Sequence, residues 1–414
     1  MSSASGGVGI LPASSEPVVR VTRGKLCFSL LLLFVLSLYA IPAQMFPALA
    51  AWHPAQIIAV SALLLLVIEK MTLHESFVLI WPEGYLLVAF VGAAALSTFS
   101  AFWPLRAYEA AVDLLRILIA YLLIVNTVVT EARLRAFLFT MVIGGLFPAV
   151  GTLNGYFHGD LLEGRAHWIG IFGNPNELAY ILVMVVPIAA VLASRVRFSL
   201  RILLWAAIAL YVSAIYLTQS RGSLMGLAGV MLLLAIRQRG VILKIAMGAL
   251  LLGGLAFTVS SWTRSDGATT QGYTFQQRIA TLKAGGAMFA AHPIVGVGID
   301  CAIVAFPLYA PNEFKAKGAL VIHNTIVQAL SETGVLGFIP FALLIACGLY
   351  HARQVSLSSA LQPVGRRMAV GLEISLWGAI ICGFSGGFLL SWFPYLVIGL
   401  IASTRQIALA ESHE

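Results

Sequence analysis

The sequence predicts an all-α polytopic membrane protein, and three observations carry that prediction. Of its 414 residues, 60% are hydrophobic and only 10% are charged, against roughly 25% charged in soluble domains. The mean hydropathy is +0.95. Apolar runs of about 20 residues, the length that crosses a hydrocarbon core as helix, recur along the chain without the two-residue alternation of barrel strands.

The runs place about 12 transmembrane helices, at 26–43, 50–69, 84–100, 108–128, 134–153, 176–194, 200–217, 222–237, 241–260, 324–351, 367–386 and 389–407. The domain plan is a disordered cytoplasmic N-terminus (1–25), nine spans (26–260), a large outer loop (261–322), three further spans (323–407) and a cytoplasmic tail (408–414). With the N-terminus inside, sixteen of the 25 Lys and Arg residues fall in cytoplasmic segments, eight fall outside and Arg116 lies within a span. That asymmetry satisfies the positive-inside rule, and the reverse orientation violates it at almost every short loop. The expected orientation therefore puts both termini in the cytoplasm and the long loop on the outer face of the membrane.

The net charge of +8 is spread over short loops, with no basic domain to suggest nucleic acid as a partner. Cys27, Cys301, Cys347 and Cys382 are scattered and offer neither a disulfide framework nor a zinc spacing. No metal or cofactor site is expected. Within the long loop, Phe275, Ile279, Leu282 and Phe289 recur at helical spacing and predict an interfacial helix, with Arg278 and Lys283 at its margin. His292-Pro293, Gly296, Gly298, Pro307 and Pro311 punctuate the rest into an irregular cap. No internal repeat relates the two halves, which disfavours the repeat-built transporter folds.

Ionisable residues near a span need a partner or a purpose, because each costs roughly 2.5–3.5 kcal/mol at the bilayer centre on insertion scales. Asp113 and Arg116, three apart with Glu109 one turn earlier, read as an internal ion pair on one helix face. Glu373, near Arg366 and Arg367, reads as snorkelling. Arg221 stands in the tight outer connection between the seventh and eighth spans, where the charge rule disfavours it. A forked, always charged guanidinium there is suited to a lipid-linked phosphate, and Arg278 and Arg165 offer the same chemistry on the same side. Snorkelling to lipid phosphates is the plainer alternative.

The segment Gly173-Asn174-Pro175-Asn176-Glu177 reads as an Asn-capped helix start, and its neighbours Arg165, His167 and Trp168 form a polar and aromatic surface suited to a sugar or headgroup. His323 and Asn324 precede a long apolar run. A histidine at a helix start is commonly a cap or a satisfied polar group, but near-neutral titration also makes it the usual general base. Paired carboxylates, a Gly-rich phosphate loop and a serine nucleophile elbow do not appear.

Four stretches then resemble a known family. They are GRAHWIGIFGNPNELA (164–179), TQSRGSLMGL (218–227), QQRIATLKAGGAMFAAHPIVGVG (276–298) and HNTIVQALSETGVLGF (323–338). In this order they are similar to bacterial O-antigen ligases and O-antigen polymerases, with the related O-linked protein glycosyltransferases. The resemblance implies a GT-C type glycosyltransferase, independent of metal and nucleotide. It would take glycan from undecaprenyl diphosphate and join it to an acceptor hydroxyl, with Arg221 and Arg278 binding the diphosphate and His323 essential. Arg165 is a third arginine of this kind, and Asn176, Asn324 and Lys283 are candidate substrate contacts. One large outer loop and one short one resemble the ligases, whose acceptor is lipid A-core. A polymerase, a protein glycosyltransferase and, from another class, a lipid or oligosaccharide transporter are the alternatives.

Overall fold

The computed structural model describes residues 24–194, 196–237, 268–359 and 361–411. The expected span at 241–260 and most of the expected disordered N-terminus lie outside them. The other eleven expected spans each coincide with a helix. These are α1 (Lys25–Ala40), α2 (Pro54–Thr72), α3 (Glu83–Ser97), α4 (Pro104–Thr127), α5 (Glu131–Phe157), α6 (Pro175–Ala193), α7 (Phe198–Leu217) and α8 (Arg221–Arg237). In the loop that follows come α9 (Ala268–Ala291) and the short α10 (Ala302–Tyr309), and then α11 (Thr325–Leu357), α12 (Pro363–Gly383) and α13 (Trp392–Glu411). Among the described residues, eight helical stretches are long and apolar enough to cross a membrane. α1 is apolar but shorter, α8 has 17 residues, and α12 carries Arg366, Arg367 and Glu373.

Local sequence explains the boundaries. Proline at the first turn opens α2, α4, α6 and α12, where its missing N–H is no loss. Side chains of Thr130, Asn174 and Asn324 cap α5, α6 and α11. The one β element among the described residues is a hairpin, Leu161–Leu162 against Arg165–Ala166, turned by Glu163 and Gly164 with both φ values positive.

α6 is the central helix, buried over 83% of its span window and packed by α5, α7, α8 and α12. α13 is nearly as enclosed, between α4, α11 and α12. α8 and α12 approach closely because glycine allows it. A Cβ on Gly222, Gly226 or Gly229 would overlap Ser385, Cys382 or Ile381, respectively, which is small-residue packing of the kind that joins membrane helices. Exposed Trp52, Phe99 and Trp103 ring one end of the bundle, and exposed Trp81, Tyr85 and Tyr350 ring the other, as interfacial aromatic belts do.

Two sequence expectations are revised. Glu373 does not snorkel beside Arg366 and Arg367. It is buried and bonds Arg237 at 2.7 Å and Ser356 at 3.2 Å, with Arg353 at 3.9 Å, so it ties α12 to α8 and α11. The Asp113–Arg116 pair forms, but about 45% of each side chain remains accessible, so it does not pack helices together.

The run 324–351 is also not one straight helix. α11 breaks at Gly334, whose φ of 58° and ψ of −162° suit only glycine. A break frees backbone groups that cannot be left bare in an apolar setting, and the segment 293–298 satisfies them. Val297 and Gly298 donate to the carbonyls of Ser331 and Glu332, while Val335 and Leu336 donate to those of Pro293 and Ile294. Two of the sequence motifs, HPIVGVG and SETGVLG, are thus the two sides of one backbone clasp.

Candidate active site

The short first part of α11, residues 325–333, begins at the end of the bundle where α6 and α8 also begin. Three helix amino ends therefore face the same region, and each favours an anion. His323 lies in the extended segment just before the Asn324 cap and is half-buried.

Arg165 is placed by the hairpin. Its Nε donates to the carbonyl of Thr218 at 2.8 Å and its Nη2 donates to Oδ1 of Asn176 at 2.7 Å. It therefore joins the 154–175 loop to the start of α6 and to the connection between α7 and α8. In that connection Gln219 has a φ of 51°, Thr218 and Ser220 are buried, and Arg221 emerges exposed as the first residue of α8. The carbonyl of Asn176 meets Ser223 Oγ at 3.5 Å, and Ser223 accepts from Ser220 at 3.0 Å, so the turn is held from both sides.

α9 delivers Arg278. Ala280, Thr281, Ala284 and Met288 form its buried face, and a Cβ on Gly285 would overlap Val327 and crowd Ile322 of the His323 segment. Ile279 and Leu282, from the expected interfacial stripe, are exposed. Lys283 is exposed as well, and at five residues from Arg278 it is about 140° round the helix.

The arginine charges act on one another and on His323. Burial, then Arg278, then Arg165 push the imidazole of His323 below its ordinary range. Burial and the neighbouring Arg221 lower Arg278, and burial lowers Arg165, with Arg278 adding to the effect and Glu163 opposing it. The structure therefore brings His323, Arg278, Arg165, Arg221 and Asn176 into one electrostatic neighbourhood. Asn324 belongs to it as scaffold: its Oδ1 caps Val327 at 3.0 Å and its Nδ2 donates to Phe384 at 3.2 Å. A neutral imidazole among guanidinium groups can accept a proton while the cations hold an anion.

Residues 206–342 match the family model described as O-antigen ligase (Wzy_C). Over this stretch the chain is similar to the O-antigen ligase family. The matched region covers about a third of the chain and runs from α7 through the first half of α11. It contains Arg221, Arg278, Lys283, His323 and Asn324, whereas Arg165 and Asn176 lie upstream of it. No curated protein matches the chain. The four stretches that resemble the family in sequence are the ones that the fold gathers: the hairpin and start of α6, the start of α8, α9 with its clasp, and the start of α11.

Below the site is an apolar cavity of about 210 Å³, lined among others by Tyr180, Thr325, Phe341, Ala342, Ala379 and Phe388. Its polar upper edge is Thr325, whose Oγ1 donates to the carbonyl of Gly386 at 2.8 Å and accepts from Phe388 at 3.0 Å. Tyr180 and Phe388 stack at 3.9 Å and 9° beneath it. Sequence reasoning missed this cavity. It also passed over Gln328 and Glu332, both buried; the signal was two polar residues four apart on the inner face of an otherwise apolar run.

Proposed function

We propose that this chain is an O-antigen ligase, moving a glycan from undecaprenyl diphosphate to a hydroxyl of lipid A-core. The observation that supports this most is the grouping of Arg278 and Arg165 around one half-buried histidine, with Arg221 beside Arg278 and an apolar cavity starting at Thr325, within and beside the stretch similar to O-antigen ligases. A donor with a prenyl tail and a diphosphate head has the same division into apolar and anionic parts.

In this reading Arg221 and Arg278 hold the diphosphate, with Arg165 as a third arginine, and the prenyl chain enters the cavity below. The acceptor hydroxyl oxygen attacks the anomeric carbon while His323 takes its proton. The bond from the anomeric carbon to the diphosphate oxygen breaks, and its electron pair leaves with undecaprenyl diphosphate. Arginines fixed in place before the reaction stabilise that growing charge with little reorganisation, which lets the step run without a metal. Direct displacement inverts the anomeric centre. Asn324 keeps His323 at the helix start, Asn176 keeps Arg165 in place, and Lys283 is left to contact the donor or acceptor from the edge.

The reading places the site on the periplasmic face of the bacterial inner membrane in a GT-C type protein of about 12 spans, with 261–322 as its outer cap and residues 1–25 and 408–414 cytoplasmic. The asymmetry of Lys and Arg between the two ends supports that orientation. Reconstitution of the purified protein with undecaprenyl-diphosphate-linked glycan, with and without lipid A-core, tests it. Glycan on the core supports the ligase. Longer lipid-linked chains identify a polymerase, and no covalent product from a donor-binding protein points to a protein acceptor or a transporter.

A further inference from the structure

In the short helix that follows His323, nine residues on, a glutamate is buried without a cation from the described residues. Glu332 is 2% exposed, and none of the ion pairs formed by described residues includes it. Keeping a carboxylate in such a place is costly enough that its bonds need a use. Nε2 of Gln328 donates to it at 3.3 Å, and the backbone N–H groups of Asp300 and Ala302, just before and at the start of α10, lie beside the same carboxyl group. The carbonyl of Glu332 also accepts from Gly298 in the clasp, so this residue anchors the inner end of helix 325–333 twice.

Gln328 carries the connection towards His323. It lies one turn closer, and its Oε1 accepts from the backbone N–H of Leu389 at 3.4 Å. The neighbouring Gly387 fits only because it lacks a side chain, since a Cβ there would lie 2.4 Å from the carbonyl of Ile322 and 2.9 Å from Gln328 Oε1. Thr325 and Asn324 bond the same 384–388 connection at the outer end. The helix that presents His323 is thereby clamped between the 293–302 loop and the connection from α12 to α13.

We propose that Glu332, acting through Gln328, is a positioning residue that sets where the His323 imidazole stands relative to the arginines. The proposal rests on the ligase reading for its kinetic consequence, but not for its geometry. The residue type fits the role. A carboxyl group can accept at both of its oxygens, whereas an amide of the same size turns an NH₂ towards one of the neighbouring donors. Misplacing a catalytic group by about 1 Å costs on the order of 100-fold in rate.

The test compares wild type with Glu332→Gln and Gln328→Leu, in detergent and in vesicles. It reads kcat, the donor KM and the rate at which diethylpyrocarbonate modifies His323, measured on its own peptide by mass spectrometry. His292 is the internal reference, since it is held elsewhere, by Tyr309 at 2.8 Å. The expected result is a loss of kcat of about 100-fold with donor KM within about threefold, and a change in His323 modification that His292 does not share. Unchanged kcat and unchanged His323 reactivity in both variants overturn the proposal. So does a parallel loss of kcat, donor binding and thermal stability, which is what a purely structural residue gives. If wild type itself transfers no glycan, the ligase reading fails, and the reactivity of His323 still decides the positioning claim.

Discussion

Gly334 lies directly against Ile294: a Cβ on Gly334 would come within 2.3 Å of the Ile294 carbonyl oxygen. Gly296 is equally confined, 2.3 Å from the carbonyl carbon of Glu332 by the same construction, with a φ of 72°. An alanine at either position meets backbone, which cannot swing aside, and also takes a conformation costing about 1–3 kcal/mol for a non-glycine residue. Gly334→Ala and Gly296→Ala should each lower stability by more than about 3 kcal/mol. Gly286, in the middle of α9 with nothing within 4 Å, is the control: Gly286→Ala should stabilise by roughly 0.5–1 kcal/mol. Thermal unfolding in detergent separates the two classes, and a Gly334→Ala protein as stable as wild type would contradict the clasp.

His323 and the arginines should fail differently. His323→Ala removes the proton acceptor and should cut kcat by about 10²–10⁴-fold while donor affinity stays close to wild type. Arg221→Ala and Arg278→Ala each remove a charged donor and should weaken donor binding by about 10- to 100-fold as well. Turnover assays paired with donor-binding measurements distinguish the two patterns. Normal turnover by His323→Ala removes the histidine from the mechanism.

The pH profile supplies an independent sign. The His323 imidazole is held below its ordinary range, first by burial and then by Arg278 and Arg165, so it takes up its proton at lower pH than an ordinary imidazole. The acid limb of kcat/KM, which reports the free enzyme, should lie at that lowered value. Arg278→Gln removes a cation that opposes protonation, so His323 protonates more readily and the acid limb should move to higher pH. A limb that stays put or moves down would mean that His323 is not the titrating base.

Much of this architecture is written in local patterns. Apolar runs set the helices, Asn174 with Pro175 sets the start of α6, and Thr218 to Gly222 reads directly as a tight turn. What the sequence hides is pairing over distance. Glu373 and Arg237 are 136 residues apart, and nothing near Glu373 in sequence tells that its partner is not Arg366. The break in α11 is hidden for a related reason. Glycine is common in membrane helices, and only the backbone groups of 293–298, about 40 residues upstream, make the conformation of Gly334 affordable. Lys283 shows the converse: it is close to Arg278 in sequence but stands about 140° from it around the helix.

Arg165 should behave as a brace as much as a ligand. Two of its donors are already spent on Thr218 and Asn176, and lysine, with a single ammonium, cannot reproduce the fork. Arg165→Lys should therefore destabilise by about 1–3 kcal/mol as one of the two acceptors loses its partner, and raise the donor KM with it. Asn176→Ala, which removes only one of those acceptors, should cost about 1 kcal/mol. A normal melting temperature with a raised donor KM in Arg165→Lys would instead assign the residue to direct donor contact.

The cavity beneath Thr325 can be tested by filling it. Ala342 lines it on α11 and Ala379 faces it from α12, so Ala342→Phe occupies space in which a prenyl chain would lie while leaving Arg221, Arg278 and His323 in place. Overpacking can itself cost about 1–3 kcal/mol, so the variant's melting temperature must be followed alongside its kinetics. The donor KM should rise about tenfold for the full undecaprenyl donor, as expected when roughly 1.4 kcal/mol of apolar contact is lost, and much less for a donor with a short prenyl chain. Equal effects on long and short donors would show that the chain lies elsewhere, on the lipid-facing surface of the bundle, and that the cavity serves packing alone.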